Sequence, residues 1–209
     1  MRSEQVTNSF AIFDLDHTLL KENSSYMFAK YLYRNNEVSI FPLLYGISFY
    51  FFHRITGRGL SILHKLALSL CSHINKEKMT LLMDHFVEKN IPAAINDSIF
   101  EKLKHHASSG HTTILLSNSP HFLVEKIGHK LGFDKSFGIE IENNNFDKAK
   151  KILSMMNHYQ ILPMNVYAYT DSISDLSLLQ IVGHPIGVNP DRKLKRECQK
   201  NGWRILICK

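Results

Sequence analysis

Cysteine is scarce in this chain. Its 209 residues include only Cys71, Cys198 and Cys208. No pair of them has metal-ligand spacing, so neither a disulfide framework nor a zinc cage organises the fold, and a reducing, cytoplasmic setting is expected. Long hydrophobic runs are missing as well. The longest apolar stretch, Ile40 to Phe52, is 13 residues and contains Pro42, Gly46 and Ser48. That is too short to span a bilayer, so no transmembrane segment is expected and the stretch reads as a buried or half-buried helix. The opening MRSEQVTNSF lacks the apolar core of a signal peptide. There is no internal repeat, low-complexity tract or Gly/Ser linker, and one domain, or one domain carrying a smaller insert, is the expectation.

The remaining composition is that of an ordinary globular protein, 44% hydrophobic and 21% charged. Lys plus Arg is 25 against 19 Asp plus Glu, a net charge of +6. The basic residues are scattered except in Arg192-Lys193-Leu194-Lys195-Arg196, which reads as a solvated helix face. No nucleic-acid-binding motif accompanies them, so nucleic acid is not an expected partner. His105, His106 and His111 are expected on the surface.

Short runs rich in β-branched or aromatic residues predict strands at Phe10–Phe13, Thr112–Leu116 and Val166–Thr170. Pro185–Val188, Arg204–Cys208 and Phe137–Ile141 are further candidates. Helical patterns lie between them, at Asp97–His106, Pro120–Leu131, Asp147–Tyr159 and Ser174–Val182. Strands alternating with helices predict an α/β fold, a Rossmann-like parallel sheet built from right-handed βαβ units. That core takes residues 1–20 and 93–209. Residues 21–92 read as helices only, a helical cap inserted after the first strand.

The polar residues fall at the strand ends. Asp14-Leu15-Asp16-His17-Thr18 follows Phe13, Ser117-Asn118-Ser119 follows Leu116, and Asp171-Ser172-Ile173-Ser174-Asp175 follows Thr170. In an open parallel sheet the ligand crevice lies outside the carboxyl ends of the strands, so these segments converge. Asp14 and Asp16, two apart, share a face of an extended backbone. Together with Asp171 they repel one another unless protonated or neutralised by a cation. Carboxylate oxygens without nitrogen or sulfur partners suit Mg²⁺ rather than zinc. The bland alternative, that Asp171, Ser172 and Ser174 merely cap the next helix, leaves the Asp14–Asp16 pair unexplained.

FDLDHT, LLSNSP, a downstream Lys148 and YTDSISD, in that order, resemble the four motifs of the haloacid dehalogenase superfamily. More narrowly they are similar to its phosphoserine-phosphatase-like branch, in which a helical cap follows the first motif. The resemblance implies a phosphomonoester hydrolase in which Asp14 attacks phosphorus to form an aspartyl-phosphate and Asp16 serves as general acid and base. It implies Mg²⁺ held by Asp14, Asp171 and the backbone carbonyl of Asp16, with Asp175 in support. It also implies that Thr18, Ser117 and Asn118 bind phosphate and that Lys148 neutralises charge. Lys150 and Lys151 stand close enough in sequence to compete with Lys148.

This chain departs from the family in carrying His17 where many members have glycine and Thr170 before Asp171, which is expected to narrow the metal loop slightly. It also has Asn23, with Glu22 beside it, where phosphoserine phosphatases carry a glutamate for the substrate's amino group. A small phosphorylated metabolite other than phosphoserine is therefore the expected substrate. A lipid-linked phosphate is an alternative suggested by the aromatic stretch Phe41 to Phe52. The rivals are a dehalogenase, which would not need Asp16, a receiver-like phosphoacceptor or phosphotransferase, and a catalytically silent binding protein.

Overall fold

The computed structural model describes residues 9–39, 74–140 and 146–208. The apolar stretch 40–52, Cys71 and the last residue expected of the strand at 137–141 lie outside them.

The side-chain alternation of the first strand sets the layers. β1 (Phe10–Phe13) sends Phe10 and Ile12 into one apolar cluster and Ala11 and Phe13 into another, as the two-residue period of an extended chain requires. Both faces are buried, which is why the strand reads as a continuous apolar run. The other strands are β2 (Thr112–Pro120), β3 (Lys135–Ile139), β4 (Val166–Thr170), β5 (His184–Val188) and β6 (Arg204–Leu206). They form one parallel sheet in the order β3-β2-β1-β4-β5-β6. This is the doubly wound order, and its switch point falls between β1 and β4.

The helices between them are α1 (Ser24–Arg34), α2 (Lys76–Ala94), α3 (Asp97–Ser108), α4 (His121–Leu131), α5 (Lys148–Tyr159), α6 (Leu176–Gln180) and α7 (Arg192–Asn201). α3 and α4 pack on the Ala11/Phe13 face, α1 and α2 extend the same apolar cluster, and the last three pack on the Phe10/Ile12 face. Helix ends follow local chemistry. Asp147 caps α5 by accepting from the Lys150 amide, Asp191 caps α7, and Gly132 closes α4 in the left-handed conformation at φ 80°. In α7, Leu194 and Cys198 are buried while Arg192, Lys193, Lys195 and Arg196 are exposed, so the basic run is a solvated face.

The chain leaves the core and returns to it at adjacent points. Leu20 and Ile95 form an antiparallel bridge, the Lys21 amide donates to the Ala94 carbonyl at 2.8 Å, and the Asn96 amide donates to Leu19 at 2.9 Å. Outside those stems, α1 packs on α2 through Phe28, Tyr31 and Phe86, whose ring centroids lie 5.2–6.4 Å apart. Lys126 and Lys130 of α4 pair with Asp84 and Glu88 of α2.

Several expectations are corrected. β2 does not stop at Leu116. It continues to Pro120, and its pairing with β3 shifts register between Leu116 and Pro120, so polar Ser117–Ser119 are still extended backbone. The next strand is centred two residues earlier than expected, at Lys135–Ile139. Instead of one helix from Ser174 to Val182, a 3₁₀ turn (Ile173–Asp175) leads into α6. His106 is not a surface residue. It lies on the buried stripe Ile99-Leu103-His106 of α3, and its ring is satisfied at both nitrogens, by His111 Nδ1 and Tyr169 Oη, each at 2.9 Å.

Candidate active site

The first loop holds two acids just past the end of β1. Asp14 is still extended (φ −72°, ψ 152°) and its amide donates to the Tyr169 carbonyl of β4 at 2.9 Å. Asp16 is also extended at φ −77° and ψ 127°. Between them Leu15 is fully buried at 0% exposure. The chain then reverses at His17, whose φ of 60° is left-handed. Glycine adopts that conformation without steric cost, which explains why glycine is common there. The reversal brings Thr18 back, so that its hydroxyl lies 3.3 Å from Asp14 Oδ2.

Lys148 opens α5, on the far side of the sequence, and its ammonium is buried in this site. Nζ lies 2.6 Å from Asp14 Oδ1 and 2.8 Å from Asp175 Oδ2. The Thr170 hydroxyl donates to the same Asp175 oxygen at 2.6 Å. Lys150 and Lys151 point elsewhere. Lys150 makes a loose 3.8 Å contact with Asp147, and Lys151 sits over the Phe137 ring at 4.1 Å. The geometry therefore separates three lysines that sequence spacing leaves together.

Burial and crowding of like charge shift these groups. Burial drives the Asp14 carboxyl well above the usual range, Lys148 opposes the shift, and Asp175 and Asp171 reinforce it. Burial works to lower the Lys148 pKa, but the charges of Asp14 and Asp175 outweigh it and hold the ammonium protonated. Asp171 is pushed up to about 6 by burial, opposed by His17 and Lys148 and assisted by Asp175. The site is short of positive charge even with Lys148 in place. Among the described residues no three His, Cys, Asp or Glu side chains form a metal cage. The ligands that the resemblance implies, Asp14, Asp171 and the Asp16 carbonyl, would offer oxygen alone, a donor set suited to Mg²⁺, which keeps several waters and takes one or two carboxylates.

Asp16 is held on both oxygens. The Ser24 amide donates to Oδ1 at 2.6 Å and the Ser119 hydroxyl donates to Oδ2 at 2.7 Å, with Ser117 Oγ at a long 3.5 Å. Ser117 is buried and its hydroxyl accepts from the Ser119 amide at 3.0 Å. Asn118 lies half-buried between them, and among the described residues no hydrogen bond joins it to these acids. Asp191 steadies the loop after β4. Its carboxylate accepts from the Ile173 amide at 2.9 Å, and its amide donates to the Asp171 carbonyl at 2.8 Å.

Ser119, Asp191 and Ser24 are therefore structural members of the site to which sequence reasoning assigned no role, and Thr170, expected only to narrow the metal loop, holds Asp175. For Ser119 a signal was available. The two-residue alternation that pairs Asp14 with Asp16 also places Ser119 on the face of Ser117.

A family model, haloacid dehalogenase-like hydrolase, matches residues 11–180. A histidinol-phosphatase from Neisseria meningitidis is 24% identical over 95% of this chain and 98% of its own length. Among solved structures, a protein of unknown function from Bordetella pertussis Tohama I superposes with a TM-score of 0.80 at 20% identity, covering 96% of this chain and 98% of that one. A phospho-aspartyl intermediate analogue of phosphoserine phosphatase superposes with a TM-score of 0.66 at 18% identity, covering 97% and 94%. The sheet and its flanking helices are thus those of the haloacid dehalogenase fold. No described helix is long and apolar enough to cross a membrane.

Proposed function

The chain belongs to the haloacid dehalogenase-like hydrolases, and from that premise we propose that it hydrolyses a small phosphomonoester through an aspartyl-phosphate formed on Asp14. The observation that carries this reading is Lys148, buried between Asp14 and Asp175 at 2.6 and 2.8 Å, beside an Asp16 that is hydrogen-bonded but unpaired with any cation among the described residues. A nucleophilic carboxylate, a fixed cation and a second carboxylate for the proton are the components of acyl-phosphate chemistry. A dehalogenase would have no use for Asp16.

In this reading the Asp14 carboxylate attacks phosphorus and the bond to the leaving alkoxide breaks. Asp16, protonated, gives its proton to that alkoxide. The resulting Asp16 carboxylate then takes a proton from water as the water attacks the phosphoryl group, releasing phosphate and restoring Asp14. Lys148 holds its charge beside the attacked group, and the hydroxyls of Thr18 and Ser117 line the same pocket with Asn118. Mg²⁺ on Asp14, Asp171 and the Asp16 carbonyl would supply charge neutralisation between a phosphate dianion and a carboxylate. The excess negative charge of the site supports that assignment.

We also read residues 21–92 as a cap over this crevice. Supporting this are the adjacent stems at Leu20 and Ile95 and the direct contact of Ser24, at the start of α1, with Asp16. A histidinol-phosphatase matched across nearly both whole chains supports a small metabolite as substrate. The aromatic stretch that suggested a lipid phosphate lies outside the described residues.

Phosphate release from p-nitrophenyl phosphate and small alkyl phosphates tests the proposal. Activity should require added Mg²⁺ and vanish with a chelator. Asp14→Asn should lose activity by up to roughly 10⁶-fold, and acid-quenched enzyme should carry a phosphoryl group on the peptide containing Asp14. Turnover that survives exhaustive chelation, or an Asp14→Asn variant retaining more than about a tenth of wild-type activity, would overturn it.

A further inference from the structure

Ser119 Oγ meets three partners at once. It lies 2.7 Å from Asp16 Oδ2, 3.2 Å from Ser24 Oγ and 3.0 Å from Ser25 Oγ. A hydroxyl has one hydrogen to donate and two lone pairs to accept with. An ionised Asp16 can only accept, so the Ser119 hydrogen goes to Oδ2 and the two lone pairs receive the hydroxyls of Ser24 and Ser25. Every hydrogen-bonding position of Ser119 is then used, at a side chain only 4% exposed. The other Asp16 oxygen, Oδ1, faces the Ser24 backbone amide at 2.6 Å. An amide N–H only donates, so each oxygen of Asp16 faces a fixed donor, Ser119 at Oδ2 and Ser24 at Oδ1.

We propose that Ser119 is a positioning residue for proton transfer, locking the Asp16 carboxylate between the end of β2 and the first turn of α1. This rests on the reading of Asp16 as the acid and base of the reaction. In the first step the proton on Asp16 passes to the leaving oxygen as its bond to phosphorus breaks, leaving a carboxylate. In the second, a proton from the attacking water returns to Asp16. Throughout, the Ser119 hydroxyl holds Oδ2 and the Ser24 amide holds Oδ1, so the carboxyl group cannot rotate.

The continuation of β2 past Leu116 is what brings Ser119 there, and Gly138 of β3 makes room for it. A Cβ on Gly138 would lie 2.6 Å from the Ser119 carbonyl oxygen and 2.8 Å from His121 Cα.

The test compares leaving groups in single-turnover release, with enzyme in excess, on Ser119→Ala and wild type. Loss of a well-aimed general acid should slow an alkyl phosphate about tenfold or more, and p-nitrophenyl phosphate by under about threefold, since nitrophenolate departs without a proton. Ser119→Cys keeps nearly the same volume while giving up the strong hydroxyl donor, and should show the same selectivity even if the alanine variant fails to fold. Equal slowing of both substrates, or no slowing of either, overturns the proposal. Asp16→Asn separates the two levels. If it retains activity, the acid–base reading itself falls. If it is inactive while Ser119→Ala and Ser119→Cys behave as wild type, only the positioning role falls.

Discussion

Lys148 is buried with two carboxylates on its ammonium, and the three charges depend on one another. Removing one partner of a buried ion pair leaves an uncompensated charge and costs about 3–5 kcal/mol, far more than an exposed pair at about 0–1 kcal/mol. Lys148→Ala is therefore expected to lower the unfolding free energy by several kcal/mol as well as to abolish turnover. Lys150→Ala and Lys151→Ala should keep near-normal activity and lose no more than about 1 kcal/mol, because those side chains hold only a 3.8 Å ion pair and a cation–π contact. Chemical denaturation and phosphate release on the three variants check this. A Lys150 or Lys151 variant as inactive as Lys148→Ala would move the catalytic cation to another residue.

At the scale of the element, α3 carries a histidine where its apolar stripe calls for a hydrophobe. Burial lowers the His106 pKa to about 4, and His111 beside it, with more distant His105, Lys102 and His184, pushes the same way. An unfolded histidine titrates near 6.5. Between those values the unfolded chain binds a proton that the folded chain refuses, so stability is full above about pH 6.5 and falls with pH. By pH 5 the loss from this group should be about 2 kcal/mol, on the linkage relation for a shift of this size. His111, also lowered by burial, adds to it. His106→Leu should remove most of this slope, measured as the wild-type-minus-variant unfolding free energy from pH 7 to 5. A parallel pH dependence in both proteins would mean that His106 is not the group responsible.

For the molecule as a whole, the open question of chemistry is what alcohol the phosphate leaves. Asn23, at the position where phosphoserine phosphatases carry glutamate, is the N-cap of α1 and accepts from the Tyr26 amide at 2.9 Å. That oxygen is committed to the helix, it is uncharged, and Glu22 beside it is exposed. A charge-assisted bond to a substrate ammonium, worth about 1.5–3 kcal/mol, is thereby forgone at this position. Phosphoserine is expected to be a poor substrate. In kcat/KM against a panel containing histidinol phosphate and sugar and nucleotide phosphates, it should rank below the best member by roughly tenfold or more, the factor that about 1.4 kcal/mol represents. Phosphoserine emerging as the best substrate would overturn this and place Glu22 on the ammonium.

The sequence by itself determined the order of strands and helices and the placing of acids and hydroxyls just after the apolar runs of β1, β2 and β4. These are local properties: a two-residue or 3.6-residue period is written in neighbouring side chains, and a polar residue after an apolar run marks a strand's functional end. The parallel sheet followed from the alternation of strands and helices, and the handedness of βαβ crossovers then sets the face that each helix takes once the strand order is known. Tertiary structure alone decided which lysine reaches Asp14 across 134 positions of chain and which serine reaches Asp16 across 103. It also decided that His106 is buried against Tyr169, 63 positions away. Such pairings depend on how far a helix is rotated about its axis and how far a strand runs past its last apolar residue. A shift of one residue turns a helix by about 100° and flips a strand face, and no local pattern fixes either before the layers pack.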